Sequence, residues 1–220
     1  MNKGLTLELR DVCITLHGRT LVPALSARVA PGEVLVLMGA SGSGKSSLLA
    51  FLAGLLEPPL AARGSVHLAG RDITALPTEV RRVGLLFQDD LLFPHLSVQD
   101  NLLFALPAGE RTARVALAQA ALQRAGLAGY GARLPGSLSG GQRARVSLLR
   151  ALLAGPAVLL LDEPFSNLDA ALRAQMRAFI WAELRAQQVC AVLVTHDVQD
   201  VPAGAQVIHL PPLSAPVADA

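Results

Sequence analysis

The chain reads as an α/β protein: a parallel sheet flanked by helices, preceded by an antiparallel β segment. Three observations predict this. Apolar runs at residues 34–38, 83–87, 157–161 and 191–194 lack polar alternation, as expected of strands buried on both faces. Helical patterns separate these runs, and that alternation is the mark of parallel sheets. The first thirty residues have a different texture: Leu5-Thr6-Leu7-Glu8-Leu9 alternates, and Gly18 and Pro31-Gly32 are turn signals, which predicts antiparallel strands.

Taken in order, a helix is expected from Lys45 towards Ala53, with Gly54 near its end. Residues 57–64, Glu-Pro-Pro-Leu-Ala-Ala-Arg-Gly, are expected to form a surface loop. A helix over 113–125 would be closed by Gly126. Another over 171–186 would align Leu172, Met176, Phe179, Ile180 and Leu184 on one face, a stripe that core packing explains. The tail from Pro211 is rich in Pro and Ala, and loose order is expected there.

Composition narrows the class. Hydrophobic residues make up 52% of 220 positions and charged residues 16%, with a mean hydropathy of +0.44, so global disorder is excluded. No apolar run approaches the roughly 18 residues of a membrane span. Glu8, Arg10 and Asp11 interrupt the start before a secretory leader could form, so neither a span nor secretion is expected. A net charge of +2 is too small for a nucleic-acid footprint, so no nucleic-acid partner is expected. Cys13 and Cys190 have no paired spacing and read as small hydrophobes in a reducing compartment. Of nineteen basic residues only Lys3 and Lys45 are lysines, which draws attention to Lys45.

Gly39-Ala40-Ser41-Gly42-Ser43-Gly44-Lys45-Ser46 follows a predicted buried strand and opens a helix, the context the GxxxxGK[ST] phosphate-binding pattern requires. Gly39, Gly42 and Gly44 let backbone amides close on phosphate oxygens, and the helix start, Ser47 included, adds a favourable dipole. Lys45 supplies a point charge at the β/γ-phosphates, and the Ser46 hydroxyl is a candidate Mg²⁺ ligand. Residues 158–161 lead to Asp162-Glu163: Asp162 is a second candidate for the metal, and Glu163 a candidate general base for water. Alone, that pair reads equally well as acids at a helix start. A guanine-reading [NT]KxD element is absent, which argues against GTPases. Leu138-Ser139-Gly140-Gly141-Gln142 begins a further helix, so Ser139, Gly140, Gly141 and Gln142 form a second anion site. Two anion sites with one nucleotide loop suggest that the second serves a partner's nucleotide.

These motifs, in this order, resemble the ATP-binding subunit of an ATP-binding-cassette (ABC) transporter over about residues 5–210. The resemblance implies a P-loop NTPase (RecA-like) core at about 1–88 and 146–210, a helical subdomain inserted at about 89–145, and a short tail at 211–220. Residues 1–210 would then form one domain. It further implies that Gln88 contacts Mg²⁺ and the attacking water. The stretch Ser166-Asn167-Leu168-Asp169 would cross a dimer interface, Asp169 included, and His196 would contact the γ-phosphate. Taken alone, a histidine after a strand is more often structural. Gly39, Gln88, Asp162 and His196 nevertheless all fall just past predicted parallel strands, where open α/β sheets bind ligands. Two copies would sandwich two ATP molecules head to tail, and hydrolysis would open the pair.

Residues 89–98 with Asp100-Asn101-Leu102 are similar to binding-protein-dependent importers, in which this stretch docks the membrane subunit. Leu91, Leu92 and Phe93 would form an exposed apolar interface or, alternatively, pack within a local helical core. The implied partners are integral membrane permease subunits and an extracytoplasmic solute-binding protein, with the chain peripheral on the cytoplasmic face of the inner membrane. The family's adenine-stacking aromatic is replaced by Leu16 and His17. With 24 residues after His196, the regulatory domain that some importers carry is not expected. An exporter or lipoprotein-release ATPase shares the catalytic motifs. A chromosome-associated ATPase would insert coiled coil between Gln88 and Ser139, where about fifty residues carry one helical pattern and no heptads. A translation-associated protein would need tandem cassettes.

Overall fold

The computed structural model describes residues 4–87, 89–166 and 168–212. Strands β1 (Leu7–Leu16) and β2 (Arg19–Val29) form an antiparallel hairpin, as their alternating pattern predicts. Strand β3 (Val34–Met38) leads into helix α1 (Lys45–Ala53), which ends at Gly54 in the left-handed conformation. Strands β4 (Leu60–Leu68) and β5 (Arg71–Asp72) complete an antiparallel sheet of order β2-β1-β4-β5. The expected loop at 57–64 is corrected: Leu60 already pairs with Leu16, and the strand runs through Gly64. Pro58, Pro59 and Gly64 look like loop punctuation. Even so, the free edge of β1 offers ladder partners from Leu60 onward.

The second sheet is parallel throughout, in the order β6-β7-β8-β3-β9, with β6 (Val83–Leu86), β7 (Val158–Asp162), β8 (Cys190–Val194) and β9 (Gln206–His209). The four apolar runs all became its strands, with ends shifted by about one residue; Phe87 lies past β6 and Ala157 before β7. β9 was not anticipated. It is a short edge strand with mostly exposed side chains, and so has no apolar run to betray it.

Period-two alternation splits the sheet's side chains between two cores. Leu35, Leu37, Leu160, Val192 and Val194 face α1 and the antiparallel sheet. Val34, Val36, Leu159, Leu161 and Leu193 face α4 (Gly140–Leu153) and α5 (Ala170–Gln187). Met176, Ile180 and Leu184 of the α5 stripe are buried there, with Leu172 and Phe179 packed at its margin.

A third core lies between α2 (Val98–Ala105), α3 (Arg111–Arg124) and α4. One helical pattern is expected between Gln88 and Ser139, and the described residues there form two α-helices. The C-cap of α3 is Ala125, one residue before the expected Gly126. Helix α4 serves two cores, with Val146 and Leu149 on the helical side and Leu148 and Leu152 on the sheet side. The expected boundary at 145/146 therefore falls inside one helix. No helix among the described residues is long and apolar enough to cross a membrane.

Candidate functional site

All parallel strands end on one side, and the loops that follow β3, β7 and β8 carry the site. The loop after β3 wraps the start of α1. Gly44 is its N-cap, in the left-handed conformation (φ 88°), and supplies no side-chain cap. A Cβ at Gly44 would lie 2.6 Å from Val22 Cγ2 and 2.8 Å from Leu21 Cγ, so the turn packs directly on β2. The uncapped start of α1 keeps its first amides available to an anion. Lys45 is buried, and its ammonium donates to the carbonyls of Gly39 (2.9 Å) and Ala40 (2.8 Å). Those two bonds use two of three donors and leave one for a ligand. Ser43 Oγ is fully buried with no hydrogen-bond partner among the described residues.

A recess of about 190 Å³ opens here, lined by Leu21, Ser41, Gly42, Gly44, Lys45, Ser46, Ser47 and Glu163. Ser46 Oγ donates to Asp162 Oδ1 at 3.3 Å. Burial pushes the Asp162 carboxyl up from its ordinary range and Glu163 adds to the push, while the Ser46 bond and Lys45 pull the other way. Two hard oxygen donors side by side at a phosphate loop suit Mg²⁺, which takes few protein ligands and completes its shell from phosphates and water.

Glu163 adopts φ 45°, a left-handed conformation that costs a non-glycine residue about 1 kcal/mol. Its amide donates to Val194 O at 3.0 Å, and its carbonyl accepts from Ser166 Oγ at 2.9 Å. That turn brings Glu163 Oε2 to 3.3 Å from His196 Nδ1. His196 is largely exposed, whereas Thr195 and Asp200 beside it are buried. The structure thus assembles Lys45, Ser46, Asp162, Glu163 and His196 from three loops. Gln88 and Asn167 lie outside the described residues.

The Ser139–Gln142 segment stands apart from that recess. Ser139 caps α4: its hydroxyl accepts from Gln142 N (3.4 Å), and Gln142 Oε1 accepts from Ser139 N (2.9 Å), a reciprocal capping box. Gln142 Nε2 also donates to Tyr130 Oη at 3.4 Å. Gly141 is buried against Leu172. Asp169 caps α5 by accepting from Leu172 N at 2.9 Å.

The apolar triplet divides. Leu92 is buried in the helical core, the second of the two expected readings, while Leu91 is 54% exposed, as the first has it. Leu91, Phe87, Phe93, Phe104 and Arg150 line a separate recess of about 350 Å³ between the end of β6, α2 and α4. Phe104 is 69% exposed and meets Phe93 edge to face at 4.8 Å. Sequence reasoning missed Leu21 and Phe104. Leu21 looked like any strand residue. Phe104 sits on a helix whose one signal is Ser97-x-x-Asp100, a start-of-helix pattern realised as Asp100 N donating to Ser97 Oγ at 3.1 Å.

Comparison with known proteins agrees with this geometry. The family model for the ABC transporter domain matches residues 22–166. An uncharacterized ABC transporter ATP-binding protein of Escherichia coli (strain K12), YnjD, is 46% identical over 205 residues, covering 93% of this chain and 94% of the relative. The Fe(3+) ions import ATP-binding protein FbpC 1 of Rhizobium meliloti (strain 1021) is 41% identical over 194 residues, covering 87% of this chain and 54% of the relative. The sulfate/thiosulfate import ATP-binding protein CysA of Mycobacterium bovis (strain ATCC BAA-935 / AF2122/97) is 45% identical over 174 residues, 77% of this chain and 48% of the relative. The chain thus spans nearly all of the first relative and about half of the two import proteins. With a family match over most of its length and a phosphate loop facing a carboxylate–histidine pair, the chain belongs to the ABC transporter family, as an ATP-binding subunit of the kind that couples ATP hydrolysis to transport.

Proposed function

We propose that the chain hydrolyses Mg²⁺-ATP as one half of a head-to-tail pair and thereby powers import of a solute through membrane permease subunits. The observation that carries this reading is the convergence of Lys45, Ser46 and Glu163 on one recess, with Asp162 bonded to Ser46 and His196 against Glu163. The loop from Gly39 to Ser47 cradles the phosphates, and Lys45 meets their charge. Ser46, Asp162 and Gln88 hold Mg²⁺, which when bound neutralises charge on the β/γ-phosphates. Glu163 accepts a proton from the attacking water, and His196 contacts the γ-phosphate. Ser139, Gly140, Gly141, Gln142 and Asp169 act on the nucleotide held by the other copy, so loss of the γ-phosphate removes the link between copies.

The recess at Leu91, Phe93 and Phe104 takes a permease segment. An apolar, exposed patch beside α4 supports that role. Similarity to iron- and sulfate-import proteins favours import over export and implies an extracytoplasmic solute-binding protein, with this chain peripheral on the cytoplasmic face of the membrane. The domain reading of a core with an inserted helical subdomain goes with this function.

The test is a pair of variants. Glu163→Gln is expected to keep ATP affinity, lose turnover by a factor of about 10² or more, and run as a dimer with ATP on size exclusion. Lys45→Ala is expected to weaken nucleotide binding in a direct titration. Wild-type turnover in Glu163→Gln overturns the base assignment.

A further inference from the structure

Arg173 has no part in the site as described, yet it touches two of the loops that build it. It lies on the first turn of α5, just past the Asp169 cap. Its Nε donates to Phe165 O at 3.2 Å, two residues beyond Glu163. Its Nη1 donates to Asp197 Oδ2 at 2.5 Å, one residue beyond His196. Both partners of this ion pair are mostly buried, with side chains 20% and 27% exposed. A planar guanidinium holding two acceptors at a fixed angle fixes the distance between them, which a flexible ammonium does not.

The acceptors are themselves anchored. Phe165 is fully buried against Trp181, with ring centroids 6.1 Å apart. Asp197 accepts from Gln199 N through its other oxygen at 2.9 Å, and its own amide donates to Thr195 Oγ1 at 3.1 Å. Thr195 Oγ1 donates to the buried Asp200 at 2.8 Å, and Arg177 Nη1 ties Asp200 and Gln199 O back to α5. The loop bearing His196 is thus braced to α5 by two arginines. Only Arg173 also reaches the loop bearing Glu163.

We propose that Arg173 is a positioning residue, acting through Asp197 and Phe165, that sets His196 at its 3.3 Å approach to Glu163 and ties that geometry to the start of α5. The inference rests on the proposed roles of Glu163 and His196. It makes the short segment ending at Asp169 and the His196 loop two arms of one bracket, so a shift of that segment moves His196.

The experiment measures steady-state ATPase activity, ATP affinity and melting temperature for Arg173→Ala, Arg173→Lys, Asp197→Asn, the Ala/Asn double variant and His196→Ala in the full chain. Arg173→Ala and Asp197→Asn are each expected to lower kcat by about 10- to 100-fold, as for a misplacement near 1 Å, with KM changed by less than about threefold. Arg173→Lys is expected to recover part of the loss, because its ammonium reaches Asp197 but cannot hold both acceptors. The double variant is expected to be no slower than Arg173→Ala alone, since the ion pair that Asp197→Asn weakens is already gone once Arg173 is removed. Asp197→Asn introduces no cavity and decides the matter if Arg173→Ala does not fold. Wild-type kcat in a folded Asp197→Asn or Arg173→Ala, beside an inactive His196→Ala, overturns the positioning role and spares the site. Losses that multiply in the double variant overturn it too. Wild-type kcat in His196→Ala overturns the reading of the site, and the positioning role falls with it.

Discussion

Arg81 offers the sharpest test of how this fold is held. It is 5% exposed, and its guanidinium donates to four carbonyls on two segments. These are Phe51 (2.8 Å) and Leu52 (3.1 Å) at the end of α1, Leu76 (2.7 Å), and Thr74. Burial lowers its pKa from the ordinary arginine value. Arg81→Ala removes every donor at once. Each bond from a charged donor is worth about 1.5–3 kcal/mol, but the variant also escapes the cost of burying a charge, and water entering the gap re-solvates some carbonyls. The net loss is about 3–5 kcal/mol, because four carbonyls lose a donor and each one left unsatisfied costs about 1–3 kcal/mol before water enters. For a chain of this size that lowers the melting temperature by roughly 6–20 °C. Arg81→Lys keeps the charge but not the fork, and about half the loss is expected. Thermal and urea unfolding, followed by circular dichroism, read both variants. An Arg81→Ala protein melting within about 2 °C of wild type refutes the reasoning, because the carbonyls would then have found other donors.

Two further variants probe the site's supports. Gly141→Ala would place a methyl group 2.3 Å from Leu172 Cδ1 and 2.5 Å from Cδ2, so Leu172 must leave its rotamer; a loss of about 1–3 kcal/mol is expected, exceeding the gain in helix propensity, and Gly141→Ala/Leu172→Ala should lose less than the two singles summed. Asp162→Asn tests the cost of a buried carboxylate. Its folded pKa lies above the unfolded value, so the ionised form penalises the fold at neutral pH, and the penalty fades as pH falls through the raised value. The variant should therefore melt higher than wild type at pH 7, with the gap closing in acid, while Mg²⁺-dependent turnover is lost.

What the sequence made legible follows from which constraints are local. The phosphate loop was readable because its backbone needs glycines at set positions and its chemistry needs Lys45. The buried strands were readable because both their faces are apolar. β4 and β9 were not: one hides behind Pro58-Pro59 and Gly64, and the other is an edge strand held by backbone pairing with β3. Helix α2 has eight residues, too few to show a period. The approach of His196 to Glu163, and the reach of Arg81 and Arg173, depend on residues 24 to 33 positions apart meeting in space. Motif order implied that Glu163 and His196 share a site. It said nothing of the arginines, which in a chain with seventeen of them carry no distinguishing mark.

Helix α4 is a rod of 14 residues, about 21 Å at 1.5 Å per residue, with Ser139 at one end. Along its length it grips the segment that follows β6: Arg143 Nε and Asp90 Oδ2 pair at 2.7 Å, Ser147 Oγ donates to Asp90 O at 2.7 Å, and Arg150 donates to Leu91 O at 2.8 Å. In mechanical terms this is a clamped lever. A load applied at Leu91 meets the rod directly, through three side-chain contacts spread over two turns. Displacing the 89–91 segment is therefore expected to be felt along α4 from Arg150 to Arg143, one turn from Ser139.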